Sequence, residues 1–239
     1  MLLGGAGLLY WWYVSEDNIT RMMHAFEVGQ CPAVPIPDTF KVQRPEVVRQ
    51  IQAILQPTPD DLQFNYFLIV GETGTGKTTA IQDAVSGLQP PRGVVYFMAP
   101  ENPGALAVHL AKAVDYDPNT IDLLGSLKRR LSGRTQEAPT SELKELLICL
   151  RDLATSYKAK HGRPPVLDID GADLIAKRDP DLMKVLQDFA KEQADANGIR
   201  VVFASSEGST LPIMMASSSI KRGKVCVDAH LVVLNLNRN

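Results

Sequence analysis

The chain alternates short, almost wholly apolar runs with longer stretches in which apolar residues recur at helical spacing. Phe64 to Val70, Gly93 to Met98, Val166 to Asp170 and Arg200 to Ala204 are the short runs, the pattern of strands buried on both faces of a parallel sheet. Between them the period changes. After Arg44-Pro45-Glu46, apolar residues fall at 47, 48, 51, 54 and 55, and Pro57 with Pro59 closes that helix. Ser141 to Tyr157 puts Leu143, Leu146, Leu147, Leu150, Leu153, Ala154 and Tyr157 on one helical face, with charges between them. Asp179-Pro180 reads as an N-cap and first helical position. The stripe Leu182, Val185, Leu186, Phe189, Ala190 follows, and Gly198 stands where a left-handed glycine would stop it. Units of this kind, joined by right-handed crossovers, predict an α/β fold of three α/β/α layers on a mostly parallel sheet. A strand near Val225 to Val227 would make the sheet five-stranded, with no helical lid expected in the dozen residues after it.

Pro32, Pro35 and Pro37 punctuate a linker, so the globular body is expected over residues 38–228. Residues 1–37 precede it as an apolar segment and linker, and residues 229–239 follow as a tail. Residues 2–14 are uncharged, but as a helix they reach only about 20 Å against a hydrocarbon core of about 30 Å. They do not cross a bilayer unaided. They lack the basic lead-in and small-residue cleavage site of a secretory signal, while the Tyr10-Trp11-Trp12-Tyr13 cluster suits a headgroup belt. Two readings stay open: the last part of a membrane anchor that starts outside the chain, or an element packed on the domain.

Composition narrows the class. The chain has 239 residues, 45% hydrophobic and 22% charged, which excludes disordered, collagenous and coiled-coil readings. A net charge of −2 gives no global drive toward nucleic acid. Lys128, Arg129, Arg130 and Arg134 read as a solvated basic loop. Cys31, Cys149 and Cys226 are odd in number and lack ligand spacing, which argues against a disulfide framework or zinc site and suits a reducing, intracellular setting. His24, His109, His161 and His230 are too scattered for a metal site.

The sharpest motif is Gly71-Glu72-Thr73-Gly74-Thr75-Gly76-Lys77-Thr78, a full G-x-x-x-x-G-K-[ST] match set between an apolar strand and the helical run Thr79 to Leu88. Glycines let the backbone curl so that successive N–H groups point inward, and the following helix adds its positive end. Phosphates of a nucleoside triphosphate fit that cup. Residues 71–79 are thus the candidate nucleotide-binding set, with Lys77 on the β and γ phosphates and the Thr78 hydroxyl on Mg²⁺. A triphosphate site also needs a carboxylate for the metal. Asp168 and Asp170 share one strand face, and Asp170 lies nearer the C-terminal edge where open α/β sheets bind ligands. Asp170 is taken as the metal carboxylate, with Asp168 as the alternative.

With these residues the chain resembles P-loop NTPases of the AAA+/STAND type, in the archaeal-ATPase-like branch, and is similar to fungal ATPase domains of the mitochondrial escape protein type. The likeness covers about residues 38–228. It also draws on Val201-Val202-Phe203-Ala204-Ser205-Ser206-Glu207-Gly208, since in such folds this strand lies beside the phosphate loop and ends in a polar sensor. The resemblance implies ATP and Mg²⁺ as ligands, Ser205 or Ser206 as sensor, and Arg44-Pro45-Glu46 as a frame for the base. It further implies a mitochondrial setting and a protein partner or second copy. ATP over GTP rests on the same likeness, and no Asn-Lys-x-Asp tetrapeptide occurs.

Two departures bear on chemistry. Many AAA+ ATPases place a glutamate directly after the metal aspartate to polarise the attacking water, whereas Gly171 follows Asp170 here. Glu101 and Glu207 are the candidate substitutes, each also readable as an exposed loop carboxylate. The lid that carries a sensor arginine in such proteins is not expected within these residues, which leaves Arg222 as the nearby arginine, also readable as solvated. An ATPase using Lys77, Asp170, Ser206 and one of these glutamates is therefore expected. The alternative is a module that binds ATP with negligible turnover. A small-molecule kinase is disfavoured by the lack of an arginine-rich lid segment.

Overall fold

A computed structural model describes residues 18–31, 44–56, 65–117, 139–206, 223–228 and 231–233. Strands β1 (Tyr66–Val70), β2 (Val94–Met98), β3 (Val166–Asp170) and β4 (Arg200–Ser205) are parallel and stand in the order β2-β3-β4-β1. All but the last residue of β2 are buried, as expected for strands covered on both faces. β5 (Gly223–Asp228) continues the sheet in parallel beyond β1. β6 (Leu231–Val233) turns back antiparallel and pairs with both β5 and the end of β1. The sheet is thus mostly parallel, as the pattern predicts, with one strand more than the expected five. The extra strand is β6, whose three residues are too few to show a period in the sequence.

Helices cover both faces. Residues 18–28 form α1, and α2 (Pro45–Leu55), α3 (Lys77–Ser86), α4 (Leu106–Ala113), α5 (Pro139–His161), α6 (Ala172–Arg178) and α7 (Pro180–Asp195) follow. Alternation along the strands builds two cores. Tyr66, Leu68, Phe97, Ile169 and Phe203 face the layer of α1 and α4–α7, while Phe67, Ile69, Tyr96, Val202 and Ala204 face α2 and α3. Each large apolar side chain buried this way contributes about 1.5–3 kcal/mol. Arg200 ties α2 to the sheet, donating to the Ile54 carbonyl at 3.0 Å with its guanidinium over the Phe67 ring.

Three local features differ from the sequence reading. The body takes in residues 18–31, ahead of the expected start near 38, because Met22, Ala25 and Phe26 form a buried helical face on the larger core. The chain after α1 runs along the free edge of β2, where the Gln30 carbonyl accepts from Tyr96 N–H. Second, the residue that ends α7 is Asn197, not Gly198. Asn197 is left-handed at φ +48°, and a Schellman pair forms from Gly198 N–H to the Gln193 carbonyl and Asn197 N–H to the Ala194 carbonyl. At Gly198 a Cβ would meet Gln193 Oε1 at 2.3 Å, so a larger residue there would have to displace the end of that side chain. Third, α6 stands between β3 and α7. The Asp179 N-cap is as expected, its Oδ1 accepting from Leu182 N–H at 2.9 Å.

Residues 2–14, the Pro32–Pro37 linker, Lys128 to Arg134, Glu207, Arg222 and His230 lie outside the described residues. Among the described residues no helix is long and apolar enough to cross a membrane.

Candidate functional site

β4 lies between β1 and β3, so the C-terminal ends of these three strands meet at one edge. Val70 pairs with Ser205, and Asp170 with Ala204. The glycine-rich loop leaves β1 at that point. It is anchored by Gly71 N–H to the Ser205 carbonyl at 3.3 Å and by Thr75 N–H to the Glu72 carbonyl at 3.2 Å. Gly74 and Gly76 take φ of +83° and +80°, the left-handed region that glycine enters without penalty. Nothing lies within 4 Å of a Cβ built at either one, so it is the left-handed backbone and not crowding that calls for glycine there. No side chain caps the N-terminus of α3 at Gly76. Its first N–H groups and its dipole are therefore directed at whatever fills the loop.

Lys77, the first residue of α3, is almost fully buried and turns back over the loop. Its Nζ donates to the Gly71 carbonyl at 2.6 Å and the Glu72 carbonyl at 2.7 Å. Burial draws the ammonium below the ordinary lysine range, and the carboxylates of Asp170 and Asp173 push the opposite way. The ammonium is thus held at the mouth of the loop with two acidic groups close by.

Asp170 is the hub of the site. Its Oδ2 accepts from the Thr78 hydroxyl and from the Tyr96 hydroxyl, each at 2.7 Å, and its Oδ1 accepts from Gly171 N–H at 2.8 Å. Distances this short are typical of donors to an ionised carboxylate. Burial, with the Asp170 charge and hydrogen bond added, raises the Tyr96 phenol far above its usual range and fixes it as a donor. Sequence reasoning missed Tyr96. An aromatic in an apolar strand reads as core, and its polar partner shows only when β2 and β3 are in register, Met98 beside Asp170.

The other carboxylates separate by depth. Asp168 sits two residues further into β3, fully buried, with no hydrogen-bond partner for either oxygen. Burial, then the Asp170 charge, favours its protonated form. Thr78 therefore meets Asp170 and not Asp168. Asp173, in the first turn of α6, is also buried, and its Oδ1 accepts from Ser206 N–H at 2.9 Å. It too was missed. Seven residues show little periodicity, though Ala172, Ile175 and Ala176 are the buried side of the helix that carries it.

The structure thus gathers Lys77, Thr78 and Asp170, and brings Ser205 and Ser206 to the same edge. Ser205 is buried at the end of β4 and Ser206 is half-buried after it. Glu72, Thr73 and Gly74 are exposed on the loop, and Thr79 is half-buried in α3. Glu101 is exposed on the loop after β2, where its carbonyl accepts from Arg178. A separate groove of about 470 Å³ between α5 and α7, lined by Leu147, Ile148, Arg151, Val185 and Phe189 among others, belongs to the other helical layer.

These residues fit a polyphosphate with its metal. The loop offers uncapped helical N–H groups and one ammonium to an anion. The Thr78 hydroxyl and Asp170 carboxylate are hard oxygen donors of the kind Mg²⁺ takes.

Residues 65–210 match the family described as AAA domain, and the chain belongs to that family. The match covers more than half of the chain and contains the whole site. It makes this an ATP-binding, P-loop NTPase domain of the AAA type. No curated protein matches the chain.

Proposed function

We propose that this AAA-domain protein binds ATP with Mg²⁺ through residues 71–79 and hydrolyses it slowly, in the manner of STAND-type ATPases. The backbone N–H groups of the loop and the Lys77 ammonium hold the phosphates. Thr78 and Asp170 hold the metal, Asp170 kept in place by Tyr96 and Gly171. Bound there, Mg²⁺ neutralises charge on the β and γ oxygens. Ser206 or Ser205 senses the γ phosphate from the end of β4. Little covalent chemistry is asked of the protein, and positioning with charge neutralisation supplies most of the acceleration.

The observation that carries this reading is the 2.7 Å contact between Thr78 Oγ1 and Asp170 Oδ2 beside the buried Lys77. It joins the helix after the phosphate loop to the metal carboxylate across β4. A second reading, ATP as a structural ligand without turnover, is favoured by Gly171, which leaves no carboxylate directly after Asp170. A protein partner or second copy acting to speed hydrolysis belongs to the proposal, as does tethering to a membrane through residues 2–14. Single-turnover phosphate release from Mg·ATP separates the two readings. Release abolished in Asp170→Asn marks an ATPase, whereas tight ATP binding without release in the native protein marks a binder.

A further inference from the structure

We propose that Asp173 orients the water that attacks the γ phosphate, in place of the glutamate that Gly171 displaces; this rests on the hydrolytic reading above. Gly171 has φ +80° and is the N-cap of α6. A side chain in that conformation costs about 1–2 kcal/mol, although a Cβ there would meet only ordinary contacts with Ala99 and Leu174, at 3.5 Å each. Conformation, not space, disfavours a glutamate at 171. The same tight turn starts α6 at once and carries Asp173 back toward the strand ends.

Three observations meet at this carboxylate. It is 6% exposed, far more buried than a solvated helix-start aspartate. Its charge, like that of Asp170, favours the protonated form of the Lys77 ammonium. Its Oδ1 is fixed by Ser206 N–H at the tip of the sensor strand. A carboxylate has about four acceptor directions, and that bond uses one while setting the orientation of the group. Glu101, by comparison, is exposed.

In the step assigned to it, the water oxygen forms a bond to the γ phosphorus as the bond from phosphorus to the bridging oxygen breaks. The electron pair leaves with ADP. Asp173 accepts a hydrogen bond from the water and takes its proton, which then passes to solvent, giving ADP and inorganic phosphate.

The test uses the full chain with Asp173→Asn, which keeps an oxygen for Ser206 N–H but removes the base, and Asp173→Ala, which removes both. Expected for Asp173→Asn are ATP affinity within about threefold of native and single-turnover hydrolysis slowed by about 100-fold or more. Binding of ADP with aluminium fluoride, a mimic of the transferring phosphoryl group, should weaken in parallel while the melting temperature stays near native. Native hydrolysis in Asp173→Asn overturns the inference and leaves the ATPase reading intact. So does a loss of ATP affinity as large as the loss of rate, in both variants, which marks a purely structural tie. A native protein that binds ATP without turnover also overturns it and leaves a binder, whereas one that binds no ATP overturns the proposed function itself.

Discussion

Tyr96→Phe removes one oxygen and tests how Asp170, the proposed metal carboxylate, is held. The Tyr96 ring is fully buried, and its hydroxyl donates to Asp170 Oδ2 at 2.7 Å. Phenylalanine keeps the ring, so no large cavity forms and the change isolates the hydrogen bond. A bond to an ionised group contributes about 1.5–3 kcal/mol. For a domain of this size, about 2–4 °C in melting temperature accompanies each kcal/mol, so calorimetry of the ligand-free protein should show a drop of about 3–12 °C. The effect on metal should be separable from this. Once the Thr78 hydroxyl serves Mg²⁺, Tyr96 is the side-chain donor left on Oδ2, with Gly171 N–H on Oδ1. Loss of such a supporting donor typically weakens a metal by about 10–100-fold, so the Mg²⁺ concentration that half-saturates ATP binding should rise by that factor. A melting temperature within about 1 °C of native, together with an unchanged Mg²⁺ requirement, would refute the role given to Tyr96.

Three further outcomes follow from other contacts. Thr78→Ala should remove Mg²⁺-dependent strengthening of ATP binding, while affinity measured in a chelator stays within about threefold, since the backbone and Lys77 still hold the phosphates. Asn197→Gly should stabilise by about 0.5–1 kcal/mol in urea denaturation and Asn197→Ala should destabilise, because the residue is left-handed; the reverse order would refute the Schellman assignment. Glu27, which anchors α1 to Lys160 and His161 at 2.7 and 2.8 Å, has its carboxyl lowered chiefly by the Lys160 hydrogen bond. Its contribution is therefore present above the unfolded carboxyl pKa of about 4.3 and is lost as pH falls through the lower folded value. Glu27→Gln should cost about 0.5–1 kcal/mol at pH 7, a figure kept small because Lys160 is largely exposed, and that difference should vanish in acid.

Much of this architecture could be read from the residues, and what could not has physical causes. Strands β1 to β4 were legible because parallel strands covered on both faces are continuously apolar, leaving no ambiguity of register between core and solvent. The phosphate loop was legible because its conformation requires glycine at 74 and 76, so the backbone wrote itself into the composition. The position of Asp170 at the C-terminal end of β3 followed once that strand was placed. Tyr96 and Asp173 were not legible. Their roles arise from pairing between strands far apart in sequence and from a seven-residue helix too short to carry a period. Residues 18–28 were hidden by the proline-rich stretch after them, which drew the domain boundary too late. At the end of α7, Asn and Gly stand side by side and both tolerate a positive φ. The backbone assigns the left-handed residue to Asn197, through its positive φ and the paired bonds from Asn197 and Gly198 N–H to the last turn of the helix.

The central claim is that the loop after β1, with Lys77, is built to hold the phosphates of Mg·ATP. Titration calorimetry of the purified chain with ATP and Mg²⁺, native against Lys77→Ala, tests it most directly. Two charge-assisted bonds from one ammonium amount to about 3–6 kcal/mol, so the variant should bind at least about 100-fold more weakly. Equal affinity in the two proteins, or no binding to the native one, would contradict it.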